Sequence, residues 1–289
     1  MMKGRIVIAS PRGFCNGVRK ALETVEKTIS RGGAPLYIFH EIVHNDFIVN
    51  NLKKRGIIFV DDLSAVPRGS TVIFSAHGVS KKIEEETKTL GLKTVDATCP
   101  LVKKIHEKAV EFSEKGFFIF LIGHKDHPET EGTFGRITGK AAIIESLSDL
   151  ENMDLSKIAG MKTAFLTQTT LCREDTSVII ARLRELLPDI EGSGDICYAT
   201  TKRQEAVKEL AENCDTVFII GSAKSSNSSR LREAAEKAGA SAYLINSASD
   251  IKNEMLKNAV NIGISAGASA PECLVTELTE FLKNNGWTR

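Results

Sequence analysis

The chain has 289 residues, about twice the length of a typical domain, and 38 Lys plus Arg against 37 Asp plus Glu give a formal charge of +1. Near-neutrality excludes a polyanion-binding surface spread over the whole molecule, so no nucleic-acid partner is expected, while a local basic pocket remains open. With 42% hydrophobic and 26% charged residues the sequence excludes a disordered chain, and it offers neither a membrane span nor a secretory leader, so a cytoplasmic enzyme is expected.

Short β-rich runs alternate with amphipathic stretches along the whole sequence. Residues 5–9 (RIVIA) read as a buried strand, followed by Cys15 and a helix over 18–29 with Val18, Ala21, Leu22, Val25 and Ile29 on one face. Strands at 36–39 and 71–74 precede the polar segments HEIVHN (40–45) and SAHGVS (75–80). Cys99 is followed by Pro100, suited to a first helical position, and by a helix over 101–112 facing inward with Leu101, Ile105, Ala109 and Phe112. His106 lies midway along it and reads as a partly exposed helical residue. A strand at 117–122 leads into GHKDHPETEG (123–132), and one at 164–166 into TQTT (167–170). Beyond Cys197, Thr201 with Gln204 forms a capping-box pattern marking a helix start. Strands at 216–220 and 261–264 precede GSAKSSNSSR (221–230) and SAGASAPE (265–272). Such alternation implies parallel strands joined by crossover helices, an α/β class.

An internal repeat organises these segments. Cys15, Cys99 and Cys197 each follow a short apolar run and precede a helix, and 28 or 29 residues separate them from His44, His127 and Ser225. A second step of 62 to 72 residues from each cysteine reaches His77, Thr169 and Ser269. The division expected is three α/β units, 1–97, 98–195 and 196–289, each with three strand–loop–helix segments. In parallel sheets the functional groups gather at the carboxyl ends of the strands. Closed about a pseudo-threefold axis, the three units would present nine such loops to one central cavity.

A cysteine at a helix start is favoured as thiolate, and three thiolates together require a metal. They suit a zinc ion with one open position or three irons of a [4Fe–4S] cluster whose fourth iron is open. Cys214 reads as packing, and Cys172 and Cys273 as core or supporting positions in the helices that follow Thr169 and Ser269. His44, His77 and His127 would place imidazole donors in equivalent loops. Ser225, Ser226, Asn227 and Ser269 would oppose them at two Ser-rich helix starts, a combination suited to a diphosphate. Glu129 reads either as a tuned proton relay or as a carboxylate stabilised by its helix start; Thr169 and Thr170 could position a substrate hydroxyl.

The segments PRGFCNGV, EIVHN, FSAHGVS, DATCPLV, HPETEG, TQTTL, DICYATTKRQEAV, SSNSSRL and AGASAPE, in this order, resemble the 4-hydroxy-3-methylbut-2-enyl diphosphate reductase family over nearly the whole chain. The resemblance implies three small, mainly parallel α/β units around a central [4Fe–4S] cluster held by Cys15, Cys99 and Cys197, with an open fourth iron. It implies a diphosphate clamp of His44, His77, His127, Ser225, Ser226, Asn227 and Ser269, with Glu129 as proton donor and Thr169 as its partner. The implied reaction is reductive dehydroxylation of the allylic diphosphate to isopentenyl and dimethylallyl diphosphate. No G-x-G-x-x-G fingerprint is present, so the electrons are expected from a ferredoxin- or flavodoxin-type protein. Two other classes fit the residues alone: a zinc-dependent hydrolase or transferase on a phosphorylated substrate, and a non-catalytic iron–sulfur sensor.

Overall fold

The computed structural model describes residues 4–32, 35–192 and 194–288. Strand β1 (Gly4–Ile8) and helix α1 (Asn16–Ser30) come first. A four-stranded sheet then contains β2 (Leu36–Phe39), β3 (Ile58–Val60), β4 (Thr71–Phe74) and β5 (Lys93–Asp96), in the spatial order β3-β2-β4-β5. Helices α2 (Asp46–Lys54) and α3 (Lys81–Thr89) lie between its strands in sequence. After α4 (Pro100–Glu114), a second sheet contains β6 (Phe118–Ile122), β7 (Ala141–Ile144), β8 (Thr163–Thr167) and β9 (Glu191–Gly192), ordered β7-β6-β8-β9. Its intervening helices are α5 (Pro128–Phe134), α6 (Leu147–Glu151) and α7 (Arg173–Leu186).

Helix α8 (Tyr198–Asn213) leads to β10 (Thr216–Ile220), α9 (Ser226–Lys237), β11 (Ser241–Ile245), α10 (Asn253–Leu256), β12 (Ile262–Ala266), α11 (Glu272–Asn284) and β13 (Trp287–Thr288). The third sheet runs β11-β10-β12-β1-β13, and every ladder in the three sheets is parallel. The class is therefore α/β with three small parallel sheets.

All three sheets share one plan. Numbered along the chain, each has the order second, first, third, fourth, and in the third sheet β1 fills the fourth place. β1 therefore pairs with β12 and β13, not with the strands that follow it in sequence. The loops after the first and third strands flank the point where the strand order reverses, where open α/β sheets bind ligands. The first and third strands are buried along almost their whole length. Phe120, Phe165 and Phe218 are fully enclosed, each stabilising the fold by about 1.5–3 kcal/mol.

By compactness the described residues form two units. One consists of 4–19, 43–51 and 198–288 and carries the five-stranded sheet. The other consists of 20–32, 35–42, 52–192 and 194–197 and carries both four-stranded sheets. These units are drawn along different lines from the 1–97, 98–195 and 196–289 division. Each sheet also has a fourth strand beyond the three segments expected per unit. Helix α8 starts at Tyr198, directly after Cys197, so Thr201 and Gln204 lie inside it and not at its cap. No described helix is long and apolar enough to cross a membrane.

Candidate functional site

In the larger unit, β6 ends at a loop whose last residue, His127, caps α5. Pro128 occupies the first turn, where its missing N–H costs nothing. The His127 Nδ1 accepts the Glu129 N–H at 3.1 Å, so a neutral His127 carries its proton on Nε2. The His127 ring meets that of His77 edge to face, with centroids 5.5 Å apart.

Glu129 is only 3% exposed. Its Oε1 accepts the Thr169 backbone N–H at 2.6 Å and its Oε2 accepts the Thr169 hydroxyl at 3.0 Å. Burial pushes the carboxyl up to about 7, although both Thr169 hydrogen bonds act in the opposite direction. A helix-start carboxylate stabilised only by the dipole would be exposed and acidic, and Glu129 is neither. Thr169 stands just past β8, and its carbonyl accepts the Cys197 N–H at 2.9 Å. Gln168 ties this corner together: its Oε1 accepts from the His124 N–H at 3.0 Å and the Thr130 hydroxyl at 3.3 Å, and its amide donates to Thr170 at 3.0 Å.

The first sheet places His77 after β4 and Cys99 after β5. The Cys99 N–H donates to the Ala76 carbonyl at 3.0 Å, joining the two loops. Cys99 caps α4, and Pro100 takes the first helical position as the sequence suggests. His106 departs from the expected partial exposure. It is 5% exposed, its Nε2 has no hydrogen-bond partner, and burial lowers its pKa to about 3, so the imidazole is neutral. The cause is the glycine beside His77: a Cβ at Gly78 would lie 2.6 Å from the His106 Cε1. Gly78 thus leaves the gap that the ring fills.

In the smaller unit, Cys15 precedes α1. Its N–H donates to the Ala268 carbonyl at 3.1 Å, and its Sγ accepts the Val18 N–H at 3.4 Å. Arg203, 5% exposed on α8, holds the preceding turn by donating to the Gly13 carbonyl at 2.7 and 3.1 Å. Ser269 donates to the His44 carbonyl at 3.0 Å, so these two loops touch. Ser225 caps α9, with Ser226 and Asn227 in its first turn. Asn227 is 3% exposed, yet neither its Oδ1 nor its Nδ2 has a hydrogen-bond partner. Such an orphaned carboxamide costs about 1–3 kcal/mol per unsatisfied group unless a ligand completes it.

Every site residue read from the repeat thus lies in a loop or helix start after a first, third or fourth strand. The larger unit brings together His77, His127, Glu129 and Thr169, with Cys99 and Cys197 anchored beside their loops. The smaller unit assembles Cys15, His44, Ser225, Ser226, Asn227 and Ser269. Among the loop histidines, His40 pairs with Asp61 at 2.8 Å and His124 lies 3.7 Å from Glu145. Gln168, Arg203 and the burial of His106 escape the sequence reading. Gln168 alone carried a signal, a polar residue amid a buried strand-end run.

Of the remaining cysteines only Cys214 is buried, as expected; Cys273 departs from the expected core position because it faces solvent. Burial pushes Cys214 up to about 11, as expected of an inert packed thiol. Cys172 caps α7 and is also shifted upward by burial, while Cys273 is exposed on α11. Among the described residues, no group of three or more His, Cys, Asp or Glu side chains is placed to hold a metal ion.

The family model of the LytB protein matches residues 6–283. The 4-hydroxy-3-methylbut-2-enyl diphosphate reductase of Azoarcus sp. (strain BH72) is 47% identical over 285 residues, covering 98% of this chain and 91% of that protein. The Methylococcus capsulatus protein of the same name is 48% identical over 286 residues, covering 97% and 91%. Among solved structures, the E-1-hydroxy-2-methyl-but-2-enyl-4-diphosphate reductase from Plasmodium falciparum superposes with a TM-score of 0.92 at 36% identity, covering 99% of this chain and 91% of its own. A second, titled as the terminal enzyme of the non-mevalonate pathway, gives 0.69 at 32% identity, covering 98% and 100%. With a family model and near-full-length relatives of this identity in agreement, the chain belongs to the LytB protein family.

Proposed function

We propose that this chain is the reductase that removes the hydroxyl of 4-hydroxy-3-methylbut-2-enyl diphosphate, and that Glu129 is its proton donor. Two electrons and two protons turn the allylic alcohol into an alkene and water. The C–O bond breaks, one proton leaves with the oxygen, and the other is taken by either end of the allyl fragment, giving isopentenyl or dimethylallyl diphosphate.

The single observation that carries this reading is the Glu129–Thr169 pair. The Thr169 N–H keeps Oε1 an acceptor, so a protonated carboxyl carries its proton on Oε2, and the Thr169 hydroxyl, which donates to Oε2 of the carboxylate, turns to accept that proton. That hydroxyl can accept the Glu129 proton while giving its own to the leaving oxygen. A carboxyl at about 7 is about half protonated at neutral pH, far more than an ordinary glutamate, and remains a competent acid. Burial keeps bulk water from competing for the proton.

The diphosphate is assigned to Ser225, Ser226, Asn227 and Ser269, with His44, His77 and His127 as further donors. The start of α9 offers backbone N–H groups and a favourable dipole, and the unpaired Asn227 carboxamide supplies a donor there. The His127 tautomer, fixed by the Glu129 N–H, presents an N–H at Nε2.

Cys15, Cys99 and Cys197 are the residues that would hold a [4Fe–4S] cluster, and the donor set suits it. Each is a thiol directly before a helix, and each has its main-chain N–H anchored to a third-strand loop. When bound, the cluster supplies electrons and a Lewis-acidic iron with an open position. A ferredoxin- or flavodoxin-type protein is the proposed electron source.

Glu129→Gln tests the reading. The variant should keep the visible absorption of the cluster and bind the substrate, while single-turnover dehydroxylation falls by about 10²–10⁴-fold. Turnover at the wild-type rate would overturn the assignment.

A further inference from the structure

The serine loop at the end of β10 contains one residue that the clamp itself does not use. Ser228, on the first turn of α9, is completely buried. Its backbone N–H donates to the Ser225 Oγ at 3.3 Å and its hydroxyl donates to the same oxygen at 3.1 Å. A serine hydroxyl has two acceptor positions and one proton. Ser228 therefore occupies both acceptor positions of Ser225 and leaves Ser225 with only its proton to offer.

We propose that Ser228 is a positioning residue that makes Ser225 an obligate hydrogen-bond donor toward a phosphoryl oxygen. A phosphoryl oxygen only accepts, so a hydroxyl already turned outward as donor need not reorient when the anion arrives. The proposal rests on the reading of Ser225 as a diphosphate contact.

The packing around Ser228 indicates that its hydroxyl has a dedicated place. A Cβ at Gly221, just past β10, would lie 2.2 Å from the Ser228 Oγ, and a Cβ at Gly267, just past β12, would lie 2.0 Å from it. Both glycines are thus needed to admit the hydroxyl between two strand ends. The Asn227 Nδ2 lies 3.5 Å from the same point at Gly267, so the unpaired carboxamide and the buried hydroxyl share one wall. Alanine at 228 would fill nearly the same volume but would free one acceptor position of Ser225, letting its proton turn away from the ligand.

The test is calorimetric titration of inorganic diphosphate into the anaerobic holoenzyme, as wild type, Ser225→Ala, Ser228→Ala and the double variant. Ser228→Ala is expected to weaken binding by about three- to tenfold, and Ser225→Ala by about tenfold or more. The double variant should bind no more weakly than Ser225→Ala alone, because Ser228 acts through Ser225. In turnover, Ser228→Ala should raise KM and leave kcat unchanged. The inference is overturned if Ser228→Ala binds like wild type while Ser225→Ala is weakened. It is equally overturned if the Ser228→Ala loss persists undiminished in the Ser225→Ala background, which would mark a purely structural role. Wild-type binding by Ser225→Ala would instead refute the underlying assignment of Ser225, and the inference with it.

Discussion

The corner around Glu129 and the corner around Asn227 are built from equivalent strand ends, yet they treat their polar groups in opposite ways. Glu129 has both carboxyl oxygens satisfied by Thr169, and Thr169 in turn is locked to the Cys197 loop. Asn227 is equally buried and has both polar atoms unsatisfied. The first corner is complete without ligand, as a group must be if its proton affinity is to be set in advance. On the proposed function the second is completed by the ligand, which would recover its cost in the free protein, and one plan would serve both chemistry and recognition.

Several changes would break or sharpen this contrast. The largest effect concerns stability against pH. The Glu129 carboxyl rises from the usual value to about 7 on folding, so below about 4.5 it is protonated in both states and costs nothing. As pH rises toward 7 the unfolded chain ionises while the folded chain holds its proton, and stability falls by about 3 kcal/mol in all. Denaturant midpoints of wild type and Glu129→Gln should diverge over this window, with the variant gaining relative stability between about pH 4.5 and 7 and no further above it; parallel curves would show that Glu129 is not held neutral. Next, Thr169→Val should lower turnover by about 10²-fold and raise the Glu129 pKa further, because it removes a hydrogen bond that favours the charged form. An unchanged rate would remove Thr169 from the proton path.

In the other corner, Asn227→Leu replaces an orphaned carboxamide with an apolar side chain of similar shape. It should stabilise the free protein by about 1–3 kcal/mol while weakening inorganic diphosphate binding by about tenfold or more. Loss of stability together with full affinity would mean that the carboxamide serves the fold and not the ligand.

The two halves of each sheet differ in how far the sequence discloses them. β2, β4, β6, β8, β10 and β12 are buried on both faces and so appear as continuous apolar runs in sequence. Of the edge strands, β5 (KTVD) and β9 (EG) show no such run, while β3 (IFV), β7 (AAII) and β11 (SAYLI) are apolar but partly exposed. That β1 completes the third sheet depends on pairing across more than 250 residues of sequence, which no local pattern encodes. The candidate site residues are legible as cysteine, histidine and serine recurring at fixed spacing, and the structure places each of them after a strand end. The supporting residues were not legible. Arg203 and His106 sit on helix faces that meet a turn in one case and Gly78 in the other, both distant in sequence.

The central claim is that Glu129, held neutral by burial, supplies the proton, and the pH dependence of single-turnover dehydroxylation by the reduced holoenzyme tests it most directly. The rate should be level on the acidic side and fall with an apparent pKa of about 7. In Thr169→Val the same limb should lie at higher pH. A wild-type profile with no limb near 7, or one left in place by Thr169→Val, would contradict the account.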